Sequence, residues 1–423
     1  MHDLRLVREQ LAVLRDGFAR RGALDVLGPV LERLDALEKE RRALITATEE
    51  RKARRNALTQ EVAKRKQAKL DAADVMADAR AVGEEIARLE ADLRATEGVV
   101  DGLMLELPNI TRPEVPAGDE SHNAVVATWG TPRAAAPEPH WEIGTRLGLL
   151  DLARGAKIAG SGFIVYRGMG ARLVRGLLNF MLDLHTAEHG YEETWVPFVV
   201  NRASMTGTGQ LPKFEEDMYG LREDEGYLIP TAEVPVTNLH RDEILEPADV
   251  PRSFCAYSAC FRREAGSAGK DTRGLLRVHQ FDKVELVRYA RPEESDADLE
   301  TLTRHAETVL ERLELPYRRL LLAAGDTGFS SAKTYDLEVW APGVGRWLEV
   351  SSCSNFGDFQ ARRANIRFRP AAGEKPRFVH TLNGSGLALP RVIAALLEHG
   401  AQDDGSVRLP AVLHRYLGTD RLG

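Results

Sequence analysis

The sequence predicts an α+β fold built on an antiparallel sheet, preceded by an antiparallel two-helix coiled coil at the N-terminal end. Heptad spacing of apolar residues continues without a break from Ala79 to Leu107, which is typical of a coiled-coil helix. After residue 141, short strand patterns follow one another without regular helical crossovers, which favours antiparallel pairing. The chain has no GxGxxG after a strand and no GxxxxGK[ST] sequence, so neither a Rossmann fold nor a P-loop is indicated.

The bulk composition is that of a soluble multidomain protein. A chain of 423 residues predicts two or three domains, and a net charge of −7 argues against a generally basic nucleic-acid coat. There is no apolar signal region at the start and no run of about 18 apolar residues. The three cysteines form no CxxC pair, and a zinc site on them is disfavoured because structural zinc usually needs four ligands. We expect a cytoplasmic protein.

The first hundred residues predict helices. Residues 3–20 form a short amphipathic helix by pattern, ending near Gly22. Two heptad tracks follow, a weaker one from Leu34 to Val62 and the stronger one from Ala79 to Leu107. Between them, KRKQAKLDAAD is a natural place for the chain to reverse. We therefore expect an arm of two antiparallel helices, each of roughly 40 residues and about 60 Å long.

Basic residues are concentrated where this arm should turn. Between residues 51 and 69 eight of them stand against one acid, Glu61. They are Arg51, Lys52, Arg54, Arg55, Lys64, Arg65, Lys66 and Lys69. A solvated coiled-coil surface is the alternative, but it would predict mixed charge. The concentration favours binding of a phosphate backbone, which would depend on salt and little on sequence.

Prolines mark a linker after the arm, since residues 108–140 carry six of them within loop-forming sequence. We assign residues 1–110 to an N-terminal helical domain, 111–140 to the linker and 141–423 to the main domain. In the main domain, Ala171–His189 and Glu294–Leu313 predict helices. Tyr191–Val200 predicts a strand interrupted by Pro197, which suits a sheet edge or an interface.

The stretch from Phe254 to Arg288 predicts a hairpin. Apolar alternation covers Phe254–Phe261 and Val278–Val287, and the glycine- and charge-rich segment between them is interpreted as a mobile turn. The two-residue period of a strand places four side chains on one face: His279, Phe281, Lys283 and Glu285. A ring beside ionisable groups suits a ligand made of a base and phosphates. A solvated hairpin with a charged outer face is the alternative.

Three segments together resemble the signature motifs of class II aminoacyl-tRNA synthetases. FRREAGSAGKDTRGLLRVHQFDKVEL is similar to motif 2, TLNGSGLALPRVIAALLEH to motif 3, and Tyr191–Val200 to motif 1, the dimer-interface element. With TGTGQLPKF, TAEVP, EVSSCSNFGDFQARR and the helical arm, the chain resembles bacterial-type seryl-tRNA synthetase over essentially its whole length. One departure is Pro390, where the family more often has glycine. A proline in the first turn of a helix is sterically acceptable.

The resemblance implies a class II catalytic domain over 141–423 and a homodimer. It also implies ATP-dependent activation of L-serine to seryl-adenylate and transfer of the seryl group to tRNA(Ser) and tRNA(Sec). The implied catalytic residues are Arg262, which would bridge the α-phosphate and the serine carboxylate, Arg391 and Glu349. Mg²⁺ would be held by Glu349 and Ser352.

Further implied contacts follow from the same motifs. Glu264 would accept a hydrogen bond from the adenine amino group, Phe281 would stack on the base, and Arg391 would cover its other face. The implied ATP-binding set is Arg262, Arg263, Glu264, Val278, Phe281, Glu349, Val350, Ser351, Ser352 and Arg391. The implied serine-binding set is Thr231, Ala232, Glu233, Glu285, Asn383 and Ser385. The implied tRNA-binding set is Arg51, Arg54, Arg55, Lys64 and Arg65, and the motif 2 loop, Ala265 to Leu276, would meet the tRNA acceptor end.

Two other functions stay open at this point. A synthetase paralogue, either a resistance copy or a ligase that loads an amino acid onto a carrier protein, would share the catalytic motifs. A carrier-protein ligase would not need the basic arm, which is present. A non-catalytic tRNA-binding homologue should have lost Arg262, Glu264 or Arg391, and all three are present.

Overall fold

A computed structural model describes residues 1–223, 225–265 and 273–423 of the chain. By its contacts the chain divides into two compact units, residues 2–107 and residues 108–423 with Met1. No helix within the described ranges is long and apolar enough to cross a membrane. All three cysteines are buried and free.

The first unit consists of four helices. They are α1 (Leu4–Glu9), α2 (Leu11–Arg20), α3 (Leu24–Gln67) and α4 (Ala73–Glu106). The single helix predicted over residues 3–20 is therefore wrong, because Gln10 leaves the helical region (φ −141°, ψ 41°) and separates α1 from α2. The predicted reversal is confirmed, since α3 and α4 are separated by residues 68–72. With 44 and 34 residues, the two long helices extend over about 66 and 51 Å.

The α3–α4 pair is an antiparallel coiled coil. Val82, Ile86, Thr96 and Val100 of the predicted heptad track are buried, as the spacing requires. Arg51, which interrupts the weaker track, places Nε 2.6 Å from Glu85 Oε2 on the opposite helix. Further ion pairs join Arg41 to Glu97 and Arg65 to Asp74. Their numbers run in opposite directions, so the helices are antiparallel.

The second unit contains all the strands and nine further α-helices of the described residues. The strands are β1 (Ala124–Trp129), β2 (Leu150–Asp151), β3 (Val165–Tyr166), β4 (Glu192–Glu193), β5 (Val199–Asn201), β6 (Tyr219–Gly220), β7 (Gly226–Leu228), β8 (Ile244–Leu245), β9 (Arg252–Phe261), β10 (Gln280–Ala290), β11 (Tyr317–Leu321), β12 (Lys333–Ala341), β13 (Arg346–Asn355), β14 (Arg367–Phe368), β15 (Arg377–Phe378), β16 (His380–Ala388), β17 (Val407–Arg408) and β18 (Arg421–Leu422). The helices are α5 (His140–Arg146), α6 (Leu152–Ala159), α7 (Met169–Ala187), α8 (Arg202–Thr208), α9 (Glu233–Thr237), α10 (Ser295–Arg312), α11 (Phe359–Ala364), α12 (Leu389–Gly400) and α13 (Ala411–Leu417).

An eight-stranded sheet organises this unit, in the order β1-β11-β12-β13-β16-β10-β9-β4. Every neighbouring pair is antiparallel except β4 and β9, which confirms the predicted fold class. Helices α7, α10 and α12 pack against one face over the largest apolar core. The opposite face is covered in part, by α9, α11 and the small sheet β15-β14-β8.

Strand β10 shows how the sequence divides these faces. Its even positions Val284 and Leu286 enter the core under α7, α10 and α12. Its odd positions Val287 and Tyr289 enter the smaller core with α9 and α11. The remaining odd positions, from Phe281 to Glu285, line an open cleft. Of the four side chains predicted to share one face, Phe281, Lys283 and Glu285 do so. The fourth, His279, precedes β10 and lines neither pocket.

Motif 1 differs from its prediction as one strand. Tyr191–Val200 divides into β4 and β5, and Pro197 lies in the irregular segment between them, where its missing N–H costs no ladder bond. β4 does lie at the sheet edge. Within the segment 111–140 that the prolines marked as a linker, β1 forms the other edge of the sheet by pairing with β11.

The predicted hairpin is confirmed as β9 and β10, which pair from Phe261↔Gln280 to Arg252↔Tyr289. The helices predicted over Ala171–His189 and Glu294–Leu313 are found as α7 and α10. Most of the predicted mobile turn, and with it most of the proposed contact with the tRNA acceptor end, lies outside the described residues.

Candidate active site

The open part of the sheet carries two adjoining pockets. The ring pocket, which contains Phe281, has a volume of about 600 Å³, part of it open to solvent. The acid pocket, which contains Glu233 and Glu285, has a volume of about 710 Å³ and is also open to solvent. Both are lined by Arg262, Lys283, Glu349 and Ser385. Two cationic side chains therefore stand where the pockets meet.

Arg262 is fixed at this junction from two sides. Its guanidinium carbon lies 5.2 Å from the centroid of the Phe281 ring, within the range of a cation–π contact. Its Nε donates to the Pro230 carbonyl at 3.4 Å. Nearby, the Glu264 carboxylate is ion-paired with Arg277. The residues expected to bind a base and its phosphates are thus held in place by other side chains and by the backbone.

Arg391 also lines the ring pocket, from the first turn of α12. Its Nε donates to the Leu276 carbonyl at 3.0 Å and its Nη1 to the Glu349 carbonyl at 2.8 Å. Pro390 lies in the same first turn, so the helix accepts it without loss of a hydrogen bond. These contacts tie the start of α12 to β13.

A β-bulge brings Glu349 and Ser352 to one side of β13. The pairing with β12 shifts between Leu337↔Ser351 and Glu338↔Glu349, so Val350 is an extra residue. Without it, residues three apart would face opposite sides of the sheet. Both side chains line the acid pocket and an adjacent acidic cleft of about 900 Å³. The bulge therefore creates the hard-oxygen pair expected for Mg²⁺.

Asp336 lies opposite Ser352 in the register of β12 and β13. Burial, and after it the neighbouring Glu349 carboxylate, raise the pKa of Asp336 well above its usual range, and its Oδ1 has no hydrogen-bond partner among the described residues. A cation bound here would stabilise the charged form of Asp336 and would give Oδ1 a partner. The described residues hold no cluster of three or more acidic, His or Cys side chains arranged as a complete metal site. The oxygens fit Mg²⁺ if phosphate supplies further ligands.

The floor of the acid pocket is a hydrogen-bonded network. Thr231 donates its hydroxyl to Glu285 Oε2 at 3.0 Å, and Asn383 Nδ2 donates to Glu285 Oε1 at 3.0 Å. Lys283 Nζ donates to Thr231 Oγ1 at 2.9 Å and is ion-paired with Glu285. Ser385 lies directly opposite Glu285 on β16. All five side chains are buried.

Glu233 forms a second acid in this pocket. Its Oε1 accepts a hydrogen bond from Gln360 Nε2 at 2.6 Å. Burial, and after it the nearby Glu285 carboxylate, raise the pKa of Glu233 to about 7. Ala232, expected in the serine-binding set, contributes its side chain to the core beneath α9 and α11 rather than to the pocket lining.

Not every expected ATP-binding residue presents its side chain to the pockets. Glu264, Val278 and Val350 line the ring pocket. Arg263 is exposed and outside both linings, although its N–H donates to the Asp217 carbonyl. Ser351 is buried and donates its hydroxyl to the Ser385 carbonyl at 2.7 Å. Any contact of Ser351 with a ligand would therefore use its backbone.

Sequence reasoning missed four residues of the site. Lys283 was placed on the correct face but not in a binding set, although its two-residue spacing from Phe281 and Glu285 was a usable signal. Gln360 donates a hydrogen bond to Glu233, and Arg277 is ion-paired with Glu264. Asp336 lies opposite Ser352 in the β12–β13 pairing. Their partners are distant in sequence, so no local pattern indicates them.

The arm carries a separate candidate surface. Of its eight clustered basic residues, Arg51, Lys52 and Arg65 form ion pairs with acids of α4. The remaining five are exposed and have no ion-pair partner in the described parts of the chain: Arg54, Arg55, Lys64, Lys66 and Lys69. These five provide the positive charge that is available to a ligand.

Comparison with known proteins decides the family. The seryl-tRNA synthetase N-terminal domain matches residues 1–111, and the tRNA synthetase class II core domain (G, H, P, S and T) matches residues 213–400. A serine–tRNA ligase of Gemmatimonas aurantiaca is 68% identical over 420 residues, which are 99% of each chain. The chain belongs to the seryl-tRNA synthetase family. The class II fold and the enzyme class, serine–tRNA ligase, are thereby confirmed.

Solved structures of seryl-tRNA synthetases are also similar to it. The synthetase of Pyrococcus horikoshii, solved in complex with ATP, matches with a TM-score of 0.95 and 37% identity, over 100% of this chain and 99% of that one. The M. kandleri synthetase, solved with A. aeolicus tRNASec, matches with a TM-score of 0.59 and 21% identity, over 80% of this chain and 68% of that one. At that identity the second likeness shows the fold alone.

Proposed function

We propose that the ring pocket binds ATP and the acid pocket binds L-serine, so that seryl-adenylate forms where they meet. The supporting observation is that Arg262 and Lys283 line both pockets. Two anions, the serine carboxylate and the α-phosphate, must approach each other in this reaction. Cations at the junction lower that repulsion, and the pocket walls fix the approach.

The chemistry needs no protein nucleophile. A carboxylate oxygen of serine attacks the α-phosphorus, the bond from that phosphorus to the bridging oxygen breaks, and diphosphate leaves. A ribose hydroxyl at the end of the tRNA then attacks the seryl carbonyl carbon and gives its proton to the departing phosphate or to solvent. The bond from that carbon to the phosphate oxygen breaks, and AMP leaves. Arg262 holds the oxyanions in both steps, Phe281 stacks on adenine, and Arg391 covers its other face. Glu349 and Ser352 would hold Mg²⁺, which when bound neutralises phosphate charge.

Selectivity for serine would come from the buried network around Glu285. Glu285, Asn383 and Ser385 offer both donors and acceptors to a small hydroxyl. Alanine lacks the hydroxyl and would leave buried polar groups unpaired, which costs far more than losing one methyl group. Threonine would be excluded by its extra methyl group.

Amino-acid-dependent exchange of diphosphate with ATP tests this function. We expect exchange with serine to exceed exchange with threonine, alanine, cysteine and glycine by at least about 100-fold each. Charging of tRNA(Ser) by the same preparation separates the enzyme from a paralogue that loads a carrier protein. Absence of serine-dependent exchange, with and without tRNA, would rule the proposal out.

Serine binding should depend on pH through Glu233. The serine ammonium requires a charged carboxylate, and the pKa of Glu233 is about 7 in the empty pocket. As pH falls below about 7, Glu233 takes up a proton that binding must release, so KM for serine should rise toward about tenfold per pH unit. Above about pH 7 the KM for serine should not change with pH. Exchange kinetics from about pH 5.5 to 8 measure this. In Glu233→Gln, KM should be high and flat, and an unchanged profile in that variant would contradict the assignment.

The exposed basic residues of the arm are proposed to bind the tRNA backbone. Replacing Arg54, Arg55 and Lys64 together by alanine should weaken tRNA binding and lower the slope of log K against log salt by about 2 to 3. A charge-matched control removes Arg80, Arg88 and Arg94 from α4, which are also exposed. Filter binding at several salt concentrations measures both, and equal losses in the two triple variants would contradict the proposal.

The remaining proposals concern partners and location. Trp195 is 73% exposed and lines an apolar surface with its neighbours up to Val199, which supports a homodimer that covers motif 1. Analytical ultracentrifugation of the Trp195→Glu variant tests it.

The basic arm is also proposed to accept tRNA(Sec), which charging assays with tRNA(Ser) and tRNA(Sec) can decide. The expected place of action is the cytoplasm.

A further inference from the structure

Lys283 is a buried ammonium group at the junction of the two pockets. The side chain is 5% exposed as a residue, and it lines the ring pocket and the acid pocket alike. Its Nζ donates to Thr231 Oγ1 at 2.9 Å and pairs with Glu285 Oε2. Both partners belong to the set proposed to bind serine.

The Thr231 hydroxyl has no capacity left for a ligand. A hydroxyl offers one donor and two acceptor positions. The donor is used by Glu285 Oε2 at 3.0 Å, and the acceptors are used by Lys283 Nζ at 2.9 Å and by the Glu233 N–H at 3.2 Å. A ligand that donates to Thr231 must therefore displace one of these two donors. The Glu233 N–H belongs to the backbone at the start of α9, so the flexible lysine is the donor that can leave.

Glu285 Oε2 is occupied in a similar way, whereas Oε1 keeps one acceptor position. The Oε2 atom accepts a hydrogen bond from the Thr231 hydroxyl and is ion-paired with Lys283. The Oε1 atom accepts a hydrogen bond from Asn383 Nδ2 at 3.0 Å. The ammonium of an amino acid has the same charge and the same three donors as the lysine ammonium. The two groups are thus interchangeable as partners of Thr231 and Glu285.

We propose that Lys283 occupies the ammonium position of serine in the empty pocket, and that serine displaces it toward Arg262 and the nucleotide phosphates. The proposal rests on the function proposed above. Serine binding then delivers a second cation to the point where the α-phosphate and the carboxylate meet. By linkage, serine and nucleotide must strengthen each other's binding. If Lys283 stayed paired with Glu285 with and without serine, Lys283 would not couple serine binding to nucleotide binding.

The unaltered enzyme can test this with fragments of serine. Serinol carries the ammonium and the hydroxyl but no carboxylate, whereas 3-hydroxypropionate carries the hydroxyl and the carboxylate but no ammonium. Binding of a non-hydrolysable analogue, α,β-methylene-ATP, is measured by calorimetry with saturating amounts of each. Serinol should tighten the analogue by at least about fivefold, and 3-hydroxypropionate should not. The proposal is overturned if serinol leaves the affinity of α,β-methylene-ATP unchanged, or changes it no more than 3-hydroxypropionate does.

A variant supplies a second test. In Lys283→Met, serine should bind as tightly as in the parent or more tightly, because its competitor is gone, while the coupling to nucleotide disappears and kcat of exchange falls. A purely structural role predicts weaker serine binding with the coupling intact. Lys283→Arg should restore part of the coupling. Lys333→Met is the matched control, since Lys333 is also buried and ion-paired, with Glu114, outside both pockets.

The outcomes separate the two proposals. Lack of any serine-dependent exchange in the parent enzyme counts against the proposed function. Normal exchange together with serinol that fails to tighten the nucleotide analogue counts against the displacement of Lys283 alone. If Lys283→Met does not fold, as thermal unfolding would show, the fragment experiment on the parent enzyme decides.

Discussion

Replacing Arg262 by alanine is expected to lower serine-dependent ATP–diphosphate exchange by about 10²- to 10³-fold, the range for removal of one oxyanion-stabilising donor. Arg262 lines both pockets, and its guanidinium is positioned by Phe281 and by the Pro230 carbonyl. In the proposed reaction both anions would converge on Arg262. The loss should fall mainly on kcat, since the strongest contact is made when the α-phosphate and the carboxylate meet.

A matched control lies on strand β9, which ends one residue before Arg262. Arg252, at the start of β9, is ion-paired with Asp249 at the surface and is remote in the register from the two pockets. Arg252→Ala should keep exchange within about twofold, because Arg252 lines neither pocket and a half-exposed ion pair contributes little to stability. If Arg262→Ala retained exchange within about tenfold, the assignment of Arg262 to the junction of the anions would be wrong.

Deleting residues 30–106 is expected to abolish transfer of serine to tRNA while leaving adenylate formation nearly intact. These residues belong to a compact unit of their own, whereas every residue of the two pockets lies in the other unit. The deletion removes all eight clustered basic residues and with them the backbone contacts that would dominate tRNA affinity. We expect aminoacylation to fall by at least about 100-fold and exchange to stay within about twofold.

Both activities are measured on one preparation, so that misfolding of the shortened protein is seen as a loss of exchange. A second version of the experiment keeps the arm and replaces Arg54, Arg55 and Lys64 by glutamate, which preserves both helices. Aminoacylation that survives the deletion unchanged would contradict the role of the arm. Loss of exchange in the charge-reversed protein would indicate an unexpected effect on the catalytic unit.

The sequence allowed much of the site to be predicted where the signal is local. Alternation along β10 places Phe281, Lys283 and Glu285 on one face, and the heptad spacing of α4 places Val82 and Val100 in the seam. Each of these follows from a period of two or of 3.5 residues. The long strands and helices were found for the same reason.

Other features depend on register, which no local period reveals. The bulge at Val350 brings Glu349 and Ser352 to one side, and a second shift between β10 and β16 leaves Gly386 unpaired, where a Cβ would lie 2.8 Å from His185 Nε2. Gln360 contacts Glu233 and Arg277 contacts Glu264 only because the tertiary fold brings them together. Strand β1 is exposed on one edge and carries too weak a pattern to be recognised.

Whether the two pockets act as one site can be measured directly with a stable mimic of the adenylate, 5′-O-(N-L-serylsulfamoyl)adenosine, which spans both. We expect it to compete with ATP and with serine alike and to bind at least about 100-fold more tightly than either. The alanyl mimic, which differs only by the hydroxyl, should bind at least about 100-fold more weakly than the seryl one. Competition with ATP but not with serine, or equal affinity of the two mimics, would contradict a joined serine–adenylate site at Arg262 and Lys283.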